Sequence, residues 1–184
     1  MRKKIISLAL CVGTLLSTAG AALWPDWAAQ AETWAEQHGL DAVFLDNPNQ
    51  ALTRGRTALM LYQAAGSPAV SDEIPFVDIP EQYEDAVTWA AGQGLVQGIG
   101  NERYAPNQLV TRQEFAVILY RSAGLPEPDA YTLAGFADAS SVAEWARDAV
   151  RWCVGIELMQ GKAGGLLAPQ ASIRVAEAVL MLRR

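Results

Sequence analysis

Three arginines stand where a helix is predicted to begin, each inside a copy of one recurring stretch. Arg54 lies in PNQALTRGRTALMLYQAAG (48–66), Arg112 in PNQLVTRQEFAVILYRSAG (106–124), and Arg174 in PQASIRVAEAVLMLRR, which starts at Pro169. A cation on the first turn of a helix works against the macrodipole, which favours negative charge there. The same placement suits the binding of an anion, because open backbone N–H groups and a guanidinium fork then converge on one carboxylate or phosphate. The other reading is structural: each arginine pairs with a carboxylate of its own chain. Candidates are Asp26, Asp78 and Asp138, which follow Trp24, Phe76 and Phe136 by two residues. Residue types alone leave both readings open, and Arg56 adds a second cation near the first site.

The elements that must position these arginines can be read from caps and periodicity. Thr111-Arg112-Gln113-Glu114 matches a capping box, with Thr111 at the N-cap and Glu114 three residues on. Phe115, Ile118 and Leu119 then fall on the buried side, and Gly124 and Pro126 end the helix. Thr53 keeps the cap in the first copy, but Arg56 replaces the carboxylate. The third copy reads as one residue shorter between Pro169 and Arg174, with Ser172 as a shifted cap and with the motif Thr and Glu missing from their usual places.

An earlier helix precedes each of these. Its apolar stripe is clearest at Trp145, Ala149, Trp152, Cys153 and Ile156, with Ala86, Trp89 and Ala90 in the second copy and Trp27, Ala31, Trp34 and Ala35 in the first. Indoles beside alanines predict close helix packing, so the tryptophans are expected in the core. Gly39-Leu40 and Gly94-Leu95 fit left-handed helix caps, whereas Glu157-Leu158 in the third copy predicts a strained or differently built end. Recurrence on this scale decides the architecture before local propensity does.

The chain has 184 residues and a formal charge of −6. Arg2, Lys3 and Lys4, an apolar stretch from Ile5 to Leu16 and small residues from Ser17 to Ala22 predict a secretory signal peptide over 1–21. Cys11 is a poor lipoprotein cysteine, since Leu10 precedes it. Removing the leader's three basic residues leaves −9, so nucleic acid and anionic lipid are not expected partners. A bound anion must be held by local groups. Cys153 is then the one cysteine left, so the domain is held by its core rather than by disulfides. No later segment is long enough to predict a membrane span.

The pattern resembles the S-layer homology family, whose repeat opens Phe-x-Asp, carries a Trp-containing helix and a Gly-Leu/Ile-Val-x-Gly segment, and closes on Phe-x-Pro and Thr-Arg-Ala-Glu. The second copy matches nearly throughout, at Phe76-Val77-Asp78, Trp89, Gly94 to Gly98, Tyr104-Ala105-Pro106 and Thr111 to Glu114. The third matches at Phe136-Ala137-Asp138, Trp152, Gly161, Pro169 and Arg174, and the first at Trp24-Pro25-Asp26, Trp34, Gly39-Leu40, Pro48 and Thr53-Arg54. The resemblance implies an all-α fold: three tandem two-helix repeats (22–66, 76–124 and 134–184, one domain over 22–184) in a pseudo-threefold arrangement around a central three-helix bundle.

It also implies a role: binding of secondary cell-wall polysaccharide, often through a pyruvate ketal, in grooves between repeats, which tethers a secreted protein to the cell surface. Carried over, the polymer-binding residues are Arg54, Arg112 and Arg174, with Gly98 and Gly161 allowing close approach of the sugar and Thr53, Thr111 and Glu114 capping the helices at the site. The groove at Arg112 is expected to be the most competent. Trp24, Tyr104 and Trp145 are candidate stacking surfaces. No cofactor or metal is implied, and catalysis is not expected: His38 is a lone histidine at a predicted helix end, and no phosphate loop or nucleophile elbow appears. The alternative is a degenerate bundle of the same fold acting as a scaffold for other cell-surface proteins.

Overall fold

A computed structural model describes residues 23–71, 73, 76–127 and 131–184; the expected leader lies outside them. The chain is all-α. Among the described residues seven helices follow in order: α1 (Ala29–Gln37), α2 (Ala42–Leu45), α3 (Arg54–Ala64), α4 (Glu84–Gly92), α5 (Arg112–Ser122), α6 (Arg147–Gly155) and α7 (Val175–Arg183). Among the described residues extended pairing is limited to isolated bridges. No helix of the described residues is long and apolar enough to cross a membrane.

The recurring stretches meet head to tail. Val110 N–H donates to Leu52 O, Leu52 N–H to Ile173 O and Ile173 N–H to Val110 O, each at 2.9 Å. All three residues are buried. Buried backbone groups must find partners, and here three donors and three acceptors satisfy one another in a closed ring. A second set surrounds the first: Arg54 N–H donates to Gln108 O, Arg112 N–H to Ala171 O and Val175 N–H to Gln50 O. A third joins Gly55, Gln113 and Ala176 to the carbonyls of Pro106, Pro169 and Pro48.

Helix packing follows the same exchange. The helix that starts at the motif packs mainly on the first helix of the next copy: α3 on α4, α5 on α6, and α7 on α1. The small residues predicted for close approach line these contacts, with Ala31, Ala35, Ala86, Ala90, Ala149 and Cys153 all buried. The tryptophan expectation divides. Trp34, Trp89 and Trp152 are half-buried around an opening of about 250 Å³ beside the C-terminal ends of α3, α5 and α7. Trp27 and Trp145 are instead 56% and 62% exposed, because they lie in the 3-10 turns before α1 and α6, off the helical stripe.

Caps act largely as the sequence predicts. Thr111 and Glu114 form the full box, and Thr53 accepts from Arg56 N–H at 3.4 Å. Gly39 and Gly94 end α1 and α4 at φ +69° and +72°. Glu157 occupies the same left-handed region at +63° after α6, a conformation that a side chain makes costly. His38 ends α1 and stacks on Trp34.

Candidate functional site

Two of the three motif arginines, Arg54 and Arg112, reach across to the loop of the following copy. Arg54 Nε donates to Tyr104 O at 2.7 Å and Nη2 to Gln97 O at 2.5 Å, with the guanidinium 4.3 Å from the centre of the Tyr104 ring. Arg112 repeats this in the next copy: Nε to Leu167 O at 3.0 Å and Nη2 to Gln160 O at 2.8 Å. The arginines therefore tie loop carbonyls, a structural use that neither Asp26, Asp78 nor Asp138 supplies. Arg112 is buried at 4% exposure. Burial pulls its pKa below the usual arginine value, opposed by the nearby carboxylates of Glu177 and Asp138.

Asp78 and Asp138 hold the same loops from the other side. Asp78 accepts from Tyr104 N–H at 2.7 Å and Ala105 N–H at 3.0 Å. Asp138 accepts from Leu167 N–H at 2.7 Å and Ala168 N–H at 2.8 Å. These bonds fix Ala105 and Ala168 at φ +58° and +50°. Hydrogen bonds from Tyr104 and Ala105 keep Asp78 below the ordinary carboxylate range. For Asp138 desolvation acts upward, but its backbone donors outweigh it and the net shift is down.

Gly98 and Gly161 are constrained by the fold itself. A Cβ at Gly98 would sit 2.6 Å from Phe76 Cε1, and one at Gly161 2.7 Å from Phe136 Cε1. The aromatic ring of each Phe-x-Asp segment packs against the glycine of its own copy. Gly161 also lines the cavity described below.

The third copy is in a different register from the one predicted. Ala51 bridges to Arg174 as Thr53 does to Leu109 and Thr111 to Ser172. Arg174 thus holds the N-cap place of Thr53 and Thr111, is exposed, and is not the counterpart of Arg54 and Arg112. That place belongs to Val175, which is fully buried. Glu177 is the motif glutamate, and its carboxylate accepts from Arg174 N–H at 3.2 Å. A signal for this was available: Pro169 precedes Val175 and Glu177 by the same intervals that separate Pro106 from Arg112 and Glu114. The shortening is only apparent.

Because the side chain of Val175 has no donor, Arg56 takes over at this seam. It stands at the glutamate position of the first copy and is 7% exposed. Its Nη2 donates to Val43 O at 2.7 Å and its Nη1 to Gln50 Oε1, beside the ring of Phe44. The loop it ties is the short one, folded into α2 and held by Trp24 Nε1 to Leu45 O at 2.9 Å.

A cavity of about 630 Å³ opens around Arg112, and its lining includes Trp27, Gln160, Lys162, Glu177 and Arg184. All three copies contribute to it. Lys162 Nζ lies 2.9 Å from Glu177 Oε1, and Arg112 Nη1 lies 3.4 Å from the same oxygen. Burial alone would raise the Glu177 pKa, but Lys162 and Arg112 hold it below the usual value. Three cations and one carboxylate thus share a hollow on a chain that is acidic overall, with an exposed indole at its edge. Of the expected stacking candidates, Trp24 and Tyr104 are buried and Trp145 is exposed; Trp27, assigned to the core from sequence, is the indole that lines this cavity. Another hollow of about 390 Å³, lined by Tyr131, Ser140, Arg147 and Arg151 among others, contains no motif residue.

Comparison with known proteins bears on this arrangement. Residues 75–116 and 135–179 match the S-layer homology domain; the first copy lies outside both matched segments. An endoglucanase of Bacillus sp. (strain KSM-635) is 30% identical over 131 residues, 67% of this chain and 14% of that protein. The surface-layer 125 kDa protein of Lysinibacillus sphaericus is 30% identical over 62% of this chain and 10% of its own length. The middle cell wall protein of Brevibacillus brevis is 32% identical over 65% of this chain and 11% of its own length. The chain spans about a seventh or less of each of these relatives.

Proposed function

We propose that the chain, carrying S-layer homology segments, is a non-catalytic module that attaches to the cell surface by binding an anionic, pyruvylated secondary cell-wall polysaccharide. The groove at Arg112 is its principal site. The observation that carries this reading is the convergence of Arg112, Lys162 and Arg184 beside the exposed face of Trp27 in one cavity. A ketal carboxylate meets Lys162 and the outward nitrogen of Arg112, charge-assisted contacts that gain strength in a partly dry groove. The sugar ring lies across Trp27, whose indole offers a large rigid face. The two matched segments and the surface-layer relative support attachment to a cell surface.

Purified sacculi, with and without chemical removal of the polymer, provide the test. Wild type should sediment only when the polymer is present, and Arg112→Ala should stay in solution. Lys162→Gln and Trp27→Ala, both on exposed or half-exposed side chains, guard against loss of binding through misfolding. Equal sedimentation of wild type and all three variants would remove the groove from the account. Sedimentation that survives polymer removal would favour the scaffold reading, in which the module docks on other surface proteins.

A further inference from the structure

The two motif glutamates near arginine-tied loops are used differently. Glu114 folds back on its own cap: its Oε2 accepts from Thr111 N–H at 2.7 Å and from the Thr111 hydroxyl at 2.8 Å. Glu177 divides its oxygens. Oε2 accepts from Arg174 N–H, while Oε1 points into the cavity between Lys162 at 2.9 Å and Arg112 at 3.4 Å. The cause lies in two replacements. Arg174 offers no hydroxyl where Thr111 does, and Lys162 stands where the second copy has Ile99. A carboxylate oxygen freed from the cap therefore finds an ammonium group across the groove. Arg54, by contrast, enters no ion pair among the described residues.

We propose that Glu177 is a built-in competitor for the Arg112 groove, occupying with its own carboxylate the cations that an incoming anion must use. The inference rests on the reading of this groove as an anion site. Its consequence is selectivity. A free small anion such as pyruvate offers only what Glu177 already provides, and provides at high effective concentration. A carboxylate attached to a sugar adds contact with Trp27 and so displaces the glutamate. Glu177 thereby lets the groove ignore soluble carboxylates and retain a carboxylated glycan.

The test follows the Trp27 indole N–H resonance in isotope-labelled protein during titration with a methyl glycoside bearing a pyruvate ketal, with its uncharged methyl ester, and with sodium pyruvate. Glu177→Gln should tighten the acid glycoside about three- to tenfold, leave the ester unchanged and let free pyruvate bind. Arg112→Ala and Lys162→Gln should abolish or strongly weaken binding of the acid glycoside. If those two variants lose the glycoside while Glu177→Gln binds it no better than wild type, the competitor inference is overturned and the anion groove stands. If the glycoside fails to bind either wild type or Glu177→Gln, or binds regardless of Arg112 and Lys162, both fall. Melting curves accompany each variant. Glu177→Asp, which withdraws the carboxylate from Lys162, should shift affinity the same way if Glu177→Gln proves poorly folded.

Discussion

The seam at Arg112 and the seam at Val175 perform the same structural task with opposite parts. At the first, an arginine on the first turn of α5 crosses to the next copy and ties Gln160 O and Leu167 O, and a glutamate on α7 faces it. At the second, a buried valine replaces the arginine and an arginine replaces the glutamate, so that Arg56 ties Val43 O from within its own copy. The loop must have a cation; which copy provides it is negotiable. What changes is the outcome for a ligand. The first seam leaves an open hollow with surplus positive charge, while the second spends its cation on its own backbone and on Gln50. Loop tying is thus a property of the fold, and anion binding is what remains when the geometry leaves charge over.

The largest test of that contrast exchanges the parts. Val175→Arg alone places a second guanidinium in a filled, buried position already served by Arg56, and should cost about 3–5 kcal/mol in denaturant unfolding. Adding Arg56→Glu recreates the arrangement of the Arg112 seam and should recover about half of that loss, a coupling read from the double-mutant cycle. Simple additivity of the two losses would show that the seams are not interchangeable.

Acid should separate the seams next. Asp78, Asp138 and Glu177 all have pKa values held below those of the unfolded chain. Their contribution is fully present above the unfolded value of about 4 and is lost as pH falls through the lower folded values. The loop of the first copy is held by the Trp24 indole, which does not titrate. Hydrogen exchange at low pH should accelerate at Tyr104, Ala105, Leu167 and Ala168 before it does at the Trp24 indole N–H. Simultaneous release would mean that the carboxylates are not what hold those loops.

The caps give the smallest effects. Thr111→Ala should cost about 1 kcal/mol, since it removes the acceptor for Glu114 N–H and the hydroxyl that holds the glutamate. Arg174→Thr should gain about 0.5 kcal/mol and draw Glu177 back toward its own helix. Thermal melts resolve both, and a loss of stability in Arg174→Thr would show that the arginine has a stabilising role at the third cap.

How much of this was legible in the residues depends on the kind of signal. The helix starts at Thr53 and Thr111, the glycine-ended α1 and α4 and the strained end of α6 at Glu157 are local, and local chemistry announces them. The third copy is harder to read because Arg174 repeats the motif residue type one position early, whereas the backbone keeps count from Pro169. The exposure of Trp27 and its place beside Arg112 were beyond reach. They follow from α7 packing on α1, a contact between distant parts of the chain that no window of sequence contains. The packing of Gly98 against Phe76 was likewise hidden, because the ring lies in another segment.

The ring of Leu52, Val110 and Ile173 has a bearing on how the molecule comes to be folded. A hydrogen-bond circuit of three members has no stable two-member form: until the last arc arrives, one buried donor and one buried acceptor wait unpaired. The link between Leu52 and Ile173 also spans the longest stretch of chain, so its closure carries the greatest loss of chain entropy. Copies made first on the ribosome therefore cannot complete the circuit as they emerge. Cooperative folding is set by the arrival of the last copy, and a chain stalled before Ile173 presents an open circuit that the matching stretch of another molecule can enter.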